Sequence, residues 1–221
     1  MKKVALFDFD QTFYRGDTFS LLATHLKEHP TFQQKYNDFF LPSIVPFIQY
    51  KLGLMEGEEI RRIGMQNFLR GLHGVSIEQA TSFFSELDRA IYARRHKKLH
   101  ERLLEFHKEG YITVLVSGAY VPFLQVVTQR YPFDAVFGTD LPLREGKIDA
   151  TIPIKHRQAE KKVEAIKTFL QGETIDWENS YAFSDRFSDL PMLELVGNPV
   201  AVNAEPRLQQ EAIYRGWKQL D

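Results

Sequence analysis

From residue 96 onward the chain alternates short apolar runs with amphipathic stretches, and nothing else in it narrows the fold as much. The runs are "YITVLVSG" (111–118), "DAVFG" (134–138), "SYAFSD" (180–185) and "PVAVN" (199–203), preceded much earlier by "KVALFDF" (3–9). Val, Ile, Phe and Tyr dominate them, which favours strands. Between them, "HKKLHERLLEFHKEG" (96–110) carries Leu99, Leu103, Leu104 and Phe106 on one side and stops at Gly110. "QAEKKVEAIKTFLQG" (158–172) repeats the design with Val163, Ile166, Phe169 and Leu170 and stops at Gly172. Both read as helices closed by a glycine. Strands separated by helices predict a parallel sheet covered on both faces. "DLPLREGKIDATI" (140–152) differs and predicts a hairpin accessory around Glu145-Gly146-Lys147.

Residues 16–95 break this rhythm. No run with a period of two stands out, and turns fall at Pro30, Pro42, Pro46, Gly53, Gly57 and Gly74. The stretch 76–96 opens on Ser76 with Glu78 and Gln79 in its first turn and predicts one helix. Phe32, Tyr36, Phe39, Phe40, Phe47 and Tyr50 are expected to form the interior of this insert. A chain of 221 residues has room for a core domain and a smaller companion. The expected division is 1–15 plus 96–221 for the α/β core and 16–95 for a helical cap.

With 28 basic and 29 acidic side chains the net charge is −1, so no basic excess calls for nucleic acid. The chain has no cysteine, which excludes thiol catalysis and thiolate metal sites. Its first ten residues hold too short an apolar stretch for a signal peptide, and no run approaches a membrane span. A cytoplasmic protein with no membrane partner is the expectation. The seven histidines read as surface or capping residues. His96 and His100 have a metal-compatible spacing but no acidic partner.

Open parallel sheets bind ligands beyond the carboxyl ends of their strands, so those ends carry the functional reading. The first strand ends in Asp8-Phe9-Asp10-Gln11-Thr12, the second in Ser117-Gly118 and the fourth in Asp185, with Asp189 four residues on. Lys161 and Lys162 open the helix before the fourth strand. Carboxylates gathered there need a cation. An all-oxygen set suits Mg²⁺, completed by water and a substrate phosphate. A serine hydroxyl, the following N–H groups and a lysine make a phosphate cradle. One aspartate can attack phosphorus, and another can protonate the leaving oxygen and later activate water.

The order Asp-x-Asp-x-Thr, Ser, Lys, Asp-x-x-x-Asp resembles the haloacid dehalogenase-like phosphatase superfamily. "FDFDQT", "VLVSGA", "EKKVEAIKTF" and "AFSDRFSDLPMLELVGNPVAVN" are similar to its four motifs, and the helical insert between the first two resembles the phosphoserine phosphatase-like subfamily. The resemblance implies a doubly wound, mostly parallel Rossmann-like core with a helical-bundle cap acting as a lid. It implies Asp8 as nucleophile and metal ligand. Asp10 becomes the general acid/base, binding the metal through its carbonyl. Ser117 and Gly118 become phosphate contacts, Lys162 the neutralising lysine and Thr12 a fixer of the loop. Asp185 becomes a metal ligand and Asp189 a second or alternate one. The implied activity is Mg²⁺-dependent hydrolysis of a small phosphate ester through an aspartyl-phosphate. A phosphotransferase or phosphomutase and a phospho-accepting signalling module are the alternatives.

Some positions depart from the family pattern. Gln11 and Ser184 stand where glycine is common, and Arg186 and Ser188 lie between the last two aspartates, Ser188 where phosphoserine phosphatases have asparagine. Asp17 holds the place of an acid that contacts the substrate amine in phosphoserine phosphatase, yet it also suits an N-cap ahead of Thr18. The sequence leaves the ester and the oligomeric state open.

Overall fold

The computed structural model describes residues 1–156 and 159–221. The chain divides into two compact units. The first comprises Met1–Asp17, Leu87–Thr139 and Arg157–Asp221; the second comprises Thr18–Glu86 and Asp140–His156.

The first unit is built on six strands: β1 (Val4–Phe7), β2 (Ile112–Tyr120), β3 (Ala135–Thr139), β4 (Tyr181–Ser184), β5 (Asn198–Val202) and β6 (Lys218–Leu220). They lie in the order β3-β2-β1-β4-β5-β6, and every neighbouring pair is parallel. The order runs one way from β1 to β3 and the other way from β4 to β6, so the sheet reverses direction between β1 and β4. That crevice is where a doubly wound sheet binds its ligand. The five runs expected as strands are all present. β6 escaped notice because three residues, two of them polar, give no apolar run.

Alternation along β1 explains why its four buried residues are apolar on both sides. Val4 and Leu6 join Val114, Val116, Ala182, Met192 and Leu208 in an aliphatic core. The helix Glu160–Phe169 supplies Ile166 to that face, and Pro206–Arg215 supplies Leu208 and Ala212. Phe7 points the other way, stacked on its cross-strand neighbour Phe183 at 4.9 Å and meeting Phe106 of the helix Lys97–Lys108 edge-on at 6.3 Å. Burying one such side chain is worth about 1.5–3 kcal/mol, so β1 anchors the sheet from both layers. Gly110 and Gly172 follow the ends of their helices with φ of 78° and 89°, the left-handed conformation that glycine adopts without strain. Gln158, the first residue of the predicted 158–172 helix, lies outside the described residues.

The second unit is helical. It contains Thr18–Glu28, Tyr36–Lys51, Gly57–Phe68 and Ile77–Ser85. It also takes the short hairpin Leu143–Arg144 and Lys147–Ile148, turned at Glu145 and Gly146 with φ of 52° and 75°. Backbone bonds explain this membership: Gly74 N–H donates to Ile148 O, Ile148 N–H to Val75 O and Ile77 N–H to Gly146 O. Ser76 caps as expected, accepting from Gln79 N–H at 3.3 Å while Gln79 Oε1 accepts from Ser76 N–H at 3.2 Å.

Two expectations need correction. The single helix over 76–96 is two, Ile77–Ser85 and Asp88–Ala93, and they fall in different units. Amphipathic periodicity continues across the break and hides it. Asp88 pairs with Arg130, which ties the second piece to the sheet unit. The aromatic set is not all interior either. Phe32 and Phe39 are buried, but Phe40, Phe47 and Tyr50 are exposed.

Candidate active site

Asp8 is the residue after β1, and its N–H donates to Phe183 O on β4 at 2.9 Å. The strand pairing therefore carries straight into the first carboxylate. The chain then turns sharply: Thr12 and Tyr14 N–H both donate to Phe9 O. Gln11 sits in the turn with φ of 57°, which explains why glycine would suit that place. Asn203, after β5, donates to Gln11 O at 3.0 Å and steadies the loop from the next strand end.

Lys162, in the first turn of Glu160–Phe169, is buried, and its Nζ donates to Asp8 Oδ1 at 2.6 Å and to Asp189 Oδ2 at 2.8 Å. Ser184, the last residue of β4, donates to the same Asp189 oxygen at 2.6 Å. Its Oγ also accepts from Arg186 N–H at 3.3 Å. Asp185 is buried, yet among the described residues its carboxylate has only distant partners: Thr12 Oγ1 at 3.5 Å and Arg186 Nε at 3.5 Å. Its backbone is firmly held, because Asp185 O accepts from Glu205 N–H at 2.8 Å and Glu205 Oε1 accepts from Phe187 N–H at 2.9 Å.

Among the described residues three buried carboxyls face one buried ammonium, with the Arg186 guanidinium 3.5 Å from Asp185, and the acid groups respond. Burial pushes Asp8 up to about 6 against the pull of Lys162. Burial, then the charges of Asp8 and Asp189, pushes Asp185 up to about 9. Burial opposes the charge on Lys162, but Asp189 and Asp8 outweigh it and hold its ammonium above the ordinary lysine range. Asp10, two residues beyond Asp8, adds its charge to the field at Asp185. A divalent cation fits this set: all donors are oxygen, and among the described residues the buried Asp185 carboxylate has no short partner.

Ser117 and Gly118 lie in β2, whose register with β1 ends at Leu115. The register with β3 shifts between Val116 and Tyr120, so the ladder is broken across Ser117–Ala119. Ser117 Oγ accepts from Ala119 N–H at 3.1 Å, which leaves its own proton to donate elsewhere. Thr139 Oγ1 donates to Gly118 O at 2.7 Å and fixes that peptide. Gly138 permits the bulge, since a Cβ there would stand 2.5 Å from Ala119 O.

Asp8, Lys162, Asp185 and Asp189 thus meet at the switch point, with Thr12 at the edge and Ser117 and Gly118 on the adjoining strand. Asp17 directly precedes the helix Thr18–Glu28 and adds its charge to the surroundings of Tyr14. Ser184 was visible in the sequence only as a departure from glycine, and its grip on Asp189 could not be read there. Asn203 and Glu205 carried one signal, their place just after a strand.

The pKa shifts give a signed expectation. Asp8 and Asp185 ionise near 3.8 when unfolded but near 6 and 9 in the fold. Between those values the folded state binds more protons, so stability falls as pH rises. In a chelator, the melting temperature should drop from pH 5 to pH 8, and saturating Mg²⁺ should raise it more at pH 8 than at pH 5. A flat profile, or a larger gain at pH 5, contradicts this account.

A protein-family model described as haloacid dehalogenase-like hydrolase matches residues 5–194. The chain belongs to that family. Among relatives of this haloacid dehalogenase-like chain, the Streptomyces azureus "Inhibition of morphological differentiation protein" is 29% identical over 163 residues, 71% of this chain and 57% of that one. The alignment thus spans little more than half of that relative's length. The histidinol-phosphatase of Neisseria meningitidis is 24% identical over 100% of this chain and 99% of its own. A Bordetella pertussis structure of unknown function shares the fold at a TM-score of 0.80 with 21% identity, covering 100% of this chain and 99% of that one. Phosphoserine phosphatase, solved with an aspartyl-phosphate analogue, does so at 0.64 and 19%, covering 99% and 92%. The doubly wound α/β fold is therefore that of the haloacid dehalogenase-like family. Among the described residues no helix is long and apolar enough to cross a membrane.

Proposed function

We propose that this chain hydrolyses a small phosphate monoester, with Asp8 as nucleophile. The observation that carries the reading is the Lys162 ammonium between Asp8 and Asp189 (2.6 and 2.8 Å), beside the under-partnered Asp185. A nucleophilic carboxylate must be ionised, fixed in direction and close to positive charge, and Lys162 supplies the last two. Ser117 and the Gly118 N–H receive phosphoryl oxygens on the adjoining strand. Asp8 attacks phosphorus, the ester P–O bond breaks and Asp10 gives its proton to the leaving oxygen. Asp10 then takes a proton from water, whose oxygen attacks the aspartyl-phosphate and returns Asp8 to a carboxylate.

A Mg²⁺ ion would be held by Asp8, Asp185 and the Asp10 carbonyl, and it supplies the positive charge that keeps carboxylates and phosphate together. Asp189 acts beside that site by holding Lys162. The relatives named phosphoserine phosphatase and histidinol-phosphatase suggest an amine-bearing alcohol phosphate as the substrate class. Asp17 is the candidate amine partner, and capping of the following helix is its competing use.

The test is a panel of phosphate monoesters with Mg²⁺, including O-phosphoserine, histidinol phosphate and sugar phosphates, with alcohols added as acceptors. Phosphate release that outpaces transfer, with preference for amine-bearing esters, is expected. Transfer that outpaces release points to a phosphotransferase, and no turnover on any ester overturns the proposal.

A further inference from the structure

The helix Tyr36–Lys51 has two unlike faces. One packs within its own unit: Phe39 is buried with its ring 5.9 Å from Phe68, and Ser43 Oγ accepts from Asn67 Nδ2 at 3.2 Å. The opposite face presents Leu41, Val45, Ile48 and, just past the helix, Leu52, which are 61, 62, 50 and 68% exposed. Their spacing of four, three and four residues is the seam of a helix pair, not of a solvated face. Phe40 and Phe47 flank it, also exposed.

On this face Leu41, Ile44, Val45, Ile48 and Leu52 are exposed, and at about half exposure and roughly 200 Å² each they leave about 500 Å² of apolar surface. That is toward the upper end of the largest apolar patch on an ordinary monomer, about 300–600 Å², and such patches are often functional. Charge selects the occupant. The neighbouring helix Gly57–Phe68 pairs Arg61 with Glu58 and Arg62 with Glu59, so its two bases add no net positive charge that would favour anionic lipid. The seam instead carries one acid near its start, Asp38, and one base near its end, Lys51, both exposed. Antiparallel pairing about a twofold axis between Ile44 and Val45 sets Leu41 against Ile48 and Asp38 against Lys51. Both ends of the pair are then matched at once, as an isologous interface requires.

We propose that residues 38–52 form the interface of a homodimer, in which this helix pairs antiparallel with its copy. The test is sedimentation velocity of the full chain across a dilution series, with circular dichroism to verify folding. The native chain is expected to dimerise at micromolar concentration. Ile48→Glu should make it monomeric with an unchanged circular dichroism spectrum, because Ile48 is already half exposed, and its melting temperature should no longer depend on concentration. Asp38→Lys alone and Lys51→Asp alone should each weaken the dimer by ~3–30-fold, from two like-charge clashes of surface strength. The double swap should restore it, since each copy then offers the reversed pair. A native chain that stays monomeric at 100-fold higher concentration overturns the proposal, whether or not it floats with lipid vesicles. A dimer that survives Ile48→Glu, or that the double swap fails to rescue, overturns it as well.

Discussion

Asp8→Asn is expected to lower the turnover of any accepted phosphate ester by at least ~10⁴-fold, the scale seen when an enzyme loses its nucleophile. The amide keeps the shape and volume of the carboxyl, so binding of the ester should change far less than turnover. Chemistry separates this from a structural effect. The native chain, quenched in acid during turnover, should carry phosphate on a hydroxylamine-labile acyl bond, and the variant should carry none. Stability should move the other way. Asp8 shares the Lys162 ammonium with Asp189, and its acid is raised to about 6 by burial. Removing that charge in a chelator at pH 8 should raise the melting temperature, whereas Mg²⁺ should stabilise the variant less than the native chain. Residual turnover within tenfold of native would show that Asp8 is not the nucleophile.

Lys162→Met should combine a catalytic loss with the largest loss of stability. Methionine fills much of the lysine volume, so packing is nearly kept and charge is isolated. Asp8 Oδ1 and Asp189 Oδ2 both lose the ammonium that bonds them at 2.6 and 2.8 Å. Removing one member of a buried ion pair costs about 3–5 kcal/mol, because the partner charges stay buried and uncompensated. The cost should shrink as pH falls toward 5, since Asp8 can then protonate, and with saturating Mg²⁺. Turnover should fall by ~10²–10³, the usual effect of deleting one preorganised group in a transition state. Lys167→Met, exposed near the end of the same helix, serves as the control and should leave both quantities nearly unchanged. Denaturant unfolding with and without Mg²⁺ checks the first claim and initial rates check the second.

Much of the sheet was legible because β1, β2, β4 and β5 are short apolar runs that need no tertiary information to stand out. Their ends carried the candidate site for the same reason: Asp8, Ser117 and Asp185 interrupt apolar runs where a buried strand should turn. Side-chain partnerships were not legible. Nothing local to Ser184 says that its hydroxyl holds Asp189, because that depends on where Lys162 brings the carboxylate. The helix over 76–96 failed as one element because periodicity reports a face, not the body against which the face is buried. Phe40, Phe47 and Tyr50 misled for a related reason. Aromatic residues at helical spacing show that a face seeks burial, and only the fold shows that the chain itself leaves it uncovered.

The position of β1 has a consequence for synthesis. It precedes both of its partner strands in the chain, yet it lies inside the sheet, with Val4–Phe7 beside Ile112–Leu115 on one edge and Ala5–Phe7 beside Tyr181–Phe183 on the other. Four apolar residues and the aspartate after them must therefore wait for more than a hundred residues of chain before meeting a first partner strand. Their second partner comes some seventy residues later still. Such long-range closure makes folding slow and delays it until most of the chain is made. The loop that carries Asp8 is thus made well before its partner strands and is among the last segments to reach its working form.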